Sequence, residues 1–345
     1  MKDSLDREID YMRISITDRC NLRCQYCMPN GIECVPMEQI LTYEEICSVV
    51  TAAAGLGIRH IKVTGGEPLV RKGCPALIGM LKEISGIEKV TITTNGILLK
   101  EQLDDLIAAG SDGINVSLDT MDRERFAGIT GFDGLEQVLH GIFAAVERGI
   151  RVKLNVVSLD FTQKEAAAGR TEKADKSAQS GISEDWMRLI DLTREKPIDV
   201  RFIEMMPIGY GRSFPAIGHE RLLAALQVLY PGLEPARGNH GFGPAVYYHI
   251  PGYIGDIGLI SAIHGKFCDN CNRVRLTAKG FLKTCLCYED GVDLQPILRA
   301  DISETERQRQ LNNCMRRAIT AKPDAHCFEH PDRITEREDM VSIGG

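Results

Sequence analysis

YMRISITDRCNLRCQYC, residues 11–27, joins an alternating β-branched run to three closely spaced cysteines. The run reads as a strand whose side chains point alternately to two faces. Cys20, Cys24 and Cys27 follow at once, with three and then two residues between them. Thiolates bind zinc or iron–sulfur clusters, and a structural zinc takes four closed ligands. Three thiolates match three corners of a [4Fe–4S] cube, whose fourth iron is then open to a ligand from outside the protein. The alternatives are three unrelated buried cysteines, or zinc with a distant fourth ligand.

The same kind of run recurs along the chain: HIKVT (60–64), VTITT (90–94), GINVS (113–117), VKLNVV (152–157) and VRFIEM (200–205). Helical spacing fills most of the gaps. LTYEEICSVVTAAAGLG begins with a capping box, Thr42 to Glu45, and stops at Gly55 and Gly57; later helices stop at Gly110 and Gly149. Strand alternating with helix predicts a parallel sheet of βαβ units, either open and doubly wound or curved into an incomplete barrel. Polar or special residues stand just past nearly every strand: Cys20, Gly65-Gly66-Glu67, Thr93-Thr94-Asn95, Ser117 and Asp119, Glu204 and Met206. Ligands bind at that edge in α/β proteins, and one site fed by most strand ends suits the barrel. Gly65 and Gly66 lack Cβ, so backbone there can approach a ligand closely.

Residues 161–183 are polar and read as a surface insertion. After about residue 240 the βα rhythm gives way to short Gly-rich strands. A helix starts near 304, with Ser303 and Glu306 as its capping box, and 331–345 read as an extended tail. The expected units are therefore 1–240, 241–330 and 331–345. The charged start MKDSLDREID is not a signal peptide, and no apolar run is long enough to cross a bilayer, so a cytoplasmic protein is expected. There the 12 cysteines are not a disulfide framework. A net charge of −7 argues against non-specific nucleic-acid binding but allows a local basic pocket for a small anion.

FCDNCNRVRLTAKGFLKTC, residues 267–285, carries a second trio: Cys268, Cys271 and Cys285. It is either a second cluster with its own open iron or a zinc knuckle completed by His264 or Cys287. The remaining cysteines, 34, 47, 74, 287, 314 and 327, read mostly as small buried apolar residues. No P-loop is present.

CNLRCQYC fits the CxxxCxxC signature of the radical S-adenosylmethionine superfamily, with GGEP (65–68) as its second motif. YMRISITDRCNLRCQYC, VTGGEP, TTNG, INVSLD, RFIEMM, the second trio with NRVR, and a terminal Gly-Gly together resemble the GTP 3′,8-cyclase family of molybdenum cofactor biosynthesis. The likeness covers nearly the whole chain apart from 161–183. It implies an incomplete (βα)6 TIM-like barrel closed by a smaller C-terminal α+β domain. It implies two [4Fe–4S] clusters, on Cys20, Cys24 and Cys27 and on Cys268, Cys271 and Cys285. Tyr26, Gly66, Ser117 and Met206 would meet S-adenosyl-L-methionine. Arg13, Lys62, Thr93, Lys153, Arg273, Val274 and Arg275 would meet GTP, with Gly344 and Gly345 as a tip entering the site beside Arg273 and Arg275. Lys62 stands where the family usually has arginine, and lysine cannot reproduce a bidentate contact.

From the residues themselves, Arg13, Lys62, Lys153, Arg201, Arg273 and Arg275 all fall near predicted strand ends or beside the second trio. For Arg201 the alternative is a solvated surface arginine. The likeness further implies that a 5′-deoxyadenosyl radical removes the 3′ hydrogen of GTP and that C3′ then bonds to guanine C8. It implies an external one-electron donor and a downstream cyclic pyranopterin monophosphate synthase, and it allows a homodimer. The other classes are a radical enzyme acting on a peptide or another metabolite, and an electron-transfer protein without catalysis. The second trio with NRVR disfavours the first, and GGEP with the strand-end row disfavours the second.

Overall fold

The computed structural model describes residues 1–32, 35–159, 182–214, 217–238 and 240–344. Strands β1 (Tyr11–Ser15), β2 (His60–Thr64), β3 (Lys89–Thr94), β4 (Ile114–Ser117), β5 (Val152–Ser158) and β6 (Ile198–Glu204) lie side by side in chain order, all parallel. Helices cross between them, including Tyr43–Gly55, Leu99–Ala108, Leu135–Glu147 and Glu184–Glu195. The Thr42–Glu45 capping box forms as predicted. The helix Glu304–Thr320 has half of its predicted box: Ser303 accepts from the Glu306 amide, while the Glu306 carboxylate accepts from Arg309 and Gln310 instead.

The segment after residue 233 builds on both edges of this sheet. β7 (Glu234–Pro235), β8 (Val246–His249) and β9 (Ile257–Ile260) extend the β6 edge, with β9 parallel to β6. β10 (Arg273–Leu276), β11 (Phe281–Lys283) and β12 (Gly291–Asp293) extend the other edge, with β10 parallel to β1. The second trio is thereby brought beside the first strand. Helix Glu304–Thr320 packs on helix Tyr43–Gly55, where Gln308 Nε2 donates to the Ser48 carbonyl at 3.1 Å.

One alternation decides what the barrel holds. Met12, Ile14, Ile61, Val63, Ile92, Ile114, Val116, Leu154, Val200, Phe202 and Val274 are buried in the main apolar core. Their strand neighbours are Arg13, Lys62, Thr93, Asn115, Lys153, Asn155, Arg201, Arg273 and Arg275. Parallel strands covered on both faces usually read as unbroken apolar runs. Here the second face is polar, so it is not shaped as packed core.

Ile182 is 1% exposed and Ser183 caps helix Glu184–Glu195, so the last two residues of the expected insertion belong to the packed fold. Its residues 161–181 lie outside the described residues, as do Cys34 and Gly345. The expected extended tail is instead tucked in. Ser342 N donates to the Asp339 carbonyl at 2.9 Å, and Val341 and Ile343 are each 2% exposed.

Candidate active site

Both trios open on one cavity of about 330 Å³. Cys20, Cys24 and Cys27 line one side, and Cys268, Cys271 and Cys285 line another. The first loop is held by its own backbone: the amides of Cys27 and Met28 both donate to the Cys24 carbonyl at 3.0 Å. Asn95 Nδ2 lies 3.8 Å from Cys20 Sγ and donates to Asn21 Oδ1 at 2.8 Å. Burial pushes the thiols up, Cys27 to about 12 and Cys24 well above its usual value. Only a strongly positive centre would hold them as thiolates.

Neither trio has its three sulfurs drawn together as tightly as the ligands of a single tetrahedral ion. A tetrahedral zinc with Zn–S near 2.3 Å brings its sulfurs within about 4 Å of one another. Among the described residues, the one set of three His, Cys, Asp or Glu ligand atoms within 4.8 Å of each other is Asp199, His240 and Asp256. Neither cysteine trio is that compact. His264, one proposed zinc ligand, bonds the Glu204 carboxylate through Nδ1. Cys287, the other, lies 3.3 Å from the sulfur of Cys327. Of the other described cysteines, Cys74 and Cys287 are buried, whereas Cys47, Cys314 and Cys327 are half-buried, so the expectation of mostly buried thiols is corrected.

The GGEP loop is built against the first cysteine loop. A Cβ on Gly66 would fall 2.4 Å from the Arg19 carbonyl oxygen, and one on Gly65 would fall 2.7 Å from that of Thr17. The missing side chains thus make room for the protein's own backbone, and both glycines also line the cavity. Glu67, 1% exposed, accepts from Leu69 N at 3.0 Å, Thr94 Oγ1 at 2.7 Å and Asn95 N at 2.6 Å, locking two strand-end loops together. Tyr26 lines the cavity and its hydroxyl donates to Asp119 Oδ2 at 2.6 Å. Burial raises the Asp119 carboxyl to about 6, with the Tyr26 bond opposing. Gly66, Thr93, Ser117 and Met206 are also on the wall.

Deeper in the barrel the lining becomes cationic. Strand register sets Arg13 beside both Lys62 and Arg275, Asn115 beside Lys153, and Asn155 beside Arg201. These cations sit inside the barrel on mid-strand and early-strand positions, not at the strand ends that the sequence suggested; the period-2 pleat aims them inward. With its amide oriented to suit its neighbours, Asn115 accepts from Lys62 Nζ at 2.7 Å and Arg201 Nη2 at 3.0 Å. Lys153 has a carboxylate, Asp199, at 3.6 Å. Burial, and then repulsion from Arg201, brings Lys153 down to about 7; burial and the charges of Arg201 and Arg13 put Lys62 well below its usual value. Such a concentration of buried like charge is costly unless an anion joins it. Val274 departs from the expected set: it is 1% exposed with its side chain in the apolar core, because it alternates with Arg273 and Arg275. Only its backbone is available to a ligand.

Asp199, His240 and Asp256 form part of a floor network with Arg151 and Lys153, each 3.6 Å from Asp199, and with His249, 2.8 Å from Asp256. Beside the second trio, Lys322 Nζ donates to the Arg273 carbonyl at 3.0 Å and also bonds that of Thr284. Burial would raise the Cys271 thiol, but Lys322 and Arg273 outweigh it and bring it below its usual value. Arg7, 7% exposed, reaches the Cys268 carbonyl at 3.0 Å and the Asp324 carbonyl at 2.7 Å. Sequence reasoning missed Arg7, Lys322 and Asn115. Apart from Asp3 beside Arg7, their partners are distant in sequence, and only Asn115, inside INVS, stood in a motif. At the tail, Arg275 Nη1 donates to the Gly344 carbonyl at 2.7 Å.

The "Radical SAM superfamily" description matches residues 14–168, and "Molybdenum Cofactor Synthesis C" matches 198–328. The chain is 38% identical over 347 aligned residues to the GTP 3′,8-cyclase of Clostridium perfringens (strain 13 / Type A), covering 100% of both chains. It is 39% identical over 350 to that of Alkaliphilus oremlandii (strain OhILAs), again over 100% of both. Among solved structures, Streptococcus suis SuiB bound to S-adenosylmethionine has a similar fold, with TM-score 0.60 and 13% identity over 97% of this chain and 77% of that one.

Proposed function

The chain belongs to the GTP 3′,8-cyclase family of the radical S-adenosylmethionine superfamily, and from that premise we propose how its residues divide the work of converting GTP to (8S)-3′,8-cyclo-7,8-dihydroguanosine 5′-triphosphate. The observation that carries this reading is one cavity with a thiol trio on each of two sides and buried cations deeper in the same barrel. The reaction is an early step of molybdenum cofactor biosynthesis.

Cys20, Cys24 and Cys27 hold an iron–sulfur cluster that leaves one iron for S-adenosylmethionine. Cys268, Cys271 and Cys285 hold a second [4Fe–4S] cluster. When bound, the first cluster and S-adenosylmethionine supply a carbon-centred radical. Tyr26, Gly66, Ser117 and Met206 border the S-adenosylmethionine site. The triphosphate of GTP lies among Arg13, Lys62, Lys153, Arg201, Arg273 and Arg275, and Thr93 and the Val274 backbone flank it. Charge-assisted contacts there are stronger than neutral ones. The guanine is directed to the second trio. Arg7 and Lys322 position that trio, while Gly344 braces Arg275. The protein's task is to align two nucleosides and keep out water, which is worth several orders of magnitude in rate.

We assign residues 1–240 to the radical-generating barrel, 241–330 to the second-cluster unit and 331–345 to the bracing tail. No helix among the described residues is long and apolar enough to cross a membrane. We place the protein in the cytoplasm, with an external one-electron donor and cyclic pyranopterin monophosphate synthase downstream.

The test is an anaerobic incubation of reconstituted protein with GTP, S-adenosylmethionine and reductant. Formation of 5′-deoxyadenosine together with an isomer of GTP supports the reading. Cleavage of S-adenosylmethionine with GTP left unchanged, whatever the conditions, contradicts it.

A further inference from the structure

Cys287 and Cys327 are 40 residues apart in sequence, yet their sulfurs lie 3.3 Å apart. The Cys327 amide also donates to Cys287 Sγ at 3.4 Å. Cys287 is 0% exposed, in a small apolar cluster with Leu286, Phe328, Ile334 and Ile343; Cys327 is half-buried. Neither side chain is among those lining the cavity. The two backbones are fixed on either side of the pair. Tyr288 Oη donates to the Ala325 carbonyl at 3.0 Å, and Glu336 N donates to that of Cys287 at 3.2 Å. Cys285, of the second trio, is two residues before Cys287 in sequence.

We propose that Cys287 and Cys327 are a reversible disulfide-forming site, oxidised by hydroperoxides and distinct from both cysteine trios. The juxtaposition of two thiols, one half-buried and one enclosed, carries this. The Cys327 sulfur, the more accessible, attacks the peroxide; the O–O bond breaks, giving a sulfenic acid and one water. The Cys287 sulfur then attacks that sulfur. The S–O bond breaks, a second water leaves, and the S–S bond forms. Two thiols lose two electrons in all, and one hydrogen peroxide becomes two waters. The bond ties the Cys285 loop to the segment leading to Gly344, and a dithiol reductant reverses it.

The experiment treats anaerobically prepared full-length protein, with and without reconstituted clusters, with graded hydrogen peroxide. Remaining thiols are alkylated and peptides are mapped without reduction. A Cys287–Cys327 linked peptide that dithiothreitol abolishes is the expected result. In Cys287→Ser, dimedone should label Cys327. The proposal is overturned if both cysteines are recovered singly alkylated at peroxide levels that oxidise half-buried Cys47, or if Cys287 is recovered linked to Cys285.

Discussion

Arg275 Nη1 and the carbonyl of Gly344 are 2.7 Å apart, which fastens the last described residue of the chain to β10, the strand between Cys271 and Cys285 of the second trio. Gly344 adopts φ +74°, and a Cβ there would lie 3.1 Å from Ser15 Cβ. Both features favour glycine. Gly344→Ala should leave iron content and uncoupled S-adenosylmethionine cleavage nearly intact while cyclised product falls about 100-fold, about 3 kcal/mol in the barrier. Unaltered cyclisation by this variant would remove the tail from the mechanism.

Arg201 is 8% exposed and its Nη2 donates to Asn155 Oδ1 at 2.5 Å. Arg201→Ala should weaken GTP binding by about 1.5–3 kcal/mol, measured calorimetrically without turnover. S-adenosylmethionine binding should be unaffected, because the cations lie deeper in the barrel than the first trio. Equal losses for both ligands would point to general damage.

Lys153 gives a pH signature. Burial, then Arg201, lowers it from 10.5 to about 7. A bound triphosphate favours the charged form, so GTP binding takes up a proton. Affinity should decline as pH rises from 7 to 9, and Lys153→Arg should flatten that slope. For the ligand-free protein the sign is opposite. Between about 7 and 10.5 the unfolded chain holds the proton that the folded one releases, so this group's contribution to stability rises with pH. Titration calorimetry and melting curves across this range check both.

Glu204 is fully buried and accepts from the amides of Ile263 at 2.7 Å and His264 at 3.1 Å, holding the loop that leads to Cys268. Glu204→Ala strands both donors and should cost about 2–6 kcal/mol, at about 1–3 for each. Glu204→Gln keeps one acceptor oxygen and should cost less. Identical melting temperatures for the two variants would show that the bonds do not matter.

Strand identity and order were legible because most β-branched runs are followed by helical spacing, with glycine stops for three of the helices; the two trios stood out by spacing, which left cluster and zinc both open. The cations were legible only as a list. Their depth follows from pleat direction, which the sequence carried in alternations such as Met12-Arg13-Ile14 and Val274 between Arg273 and Arg275. For Arg201 the sequence left a pocket cation and a surface arginine both open, because nothing local shows which face of β6 turns inward. Arg7 and Lys322 could not be placed, since their partners are main-chain carbonyls brought near by the C-terminal segment. The clearance that the glycines of GGEP need from Thr17 and Arg19 was not legible, because it depends on how two loops pack together.

The central claim is that two three-cysteine clusters share one cavity. Iron and sulfide analysis of anaerobically reconstituted protein tests it most directly. About eight irons and eight sulfides per chain are predicted, four of each per cluster. Replacing Cys268, Cys271 and Cys285 with Ala should halve both, as should replacing Cys20, Cys24 and Cys27. Four irons in the intact protein, with stoichiometric zinc retained by the second trio, would contradict the account.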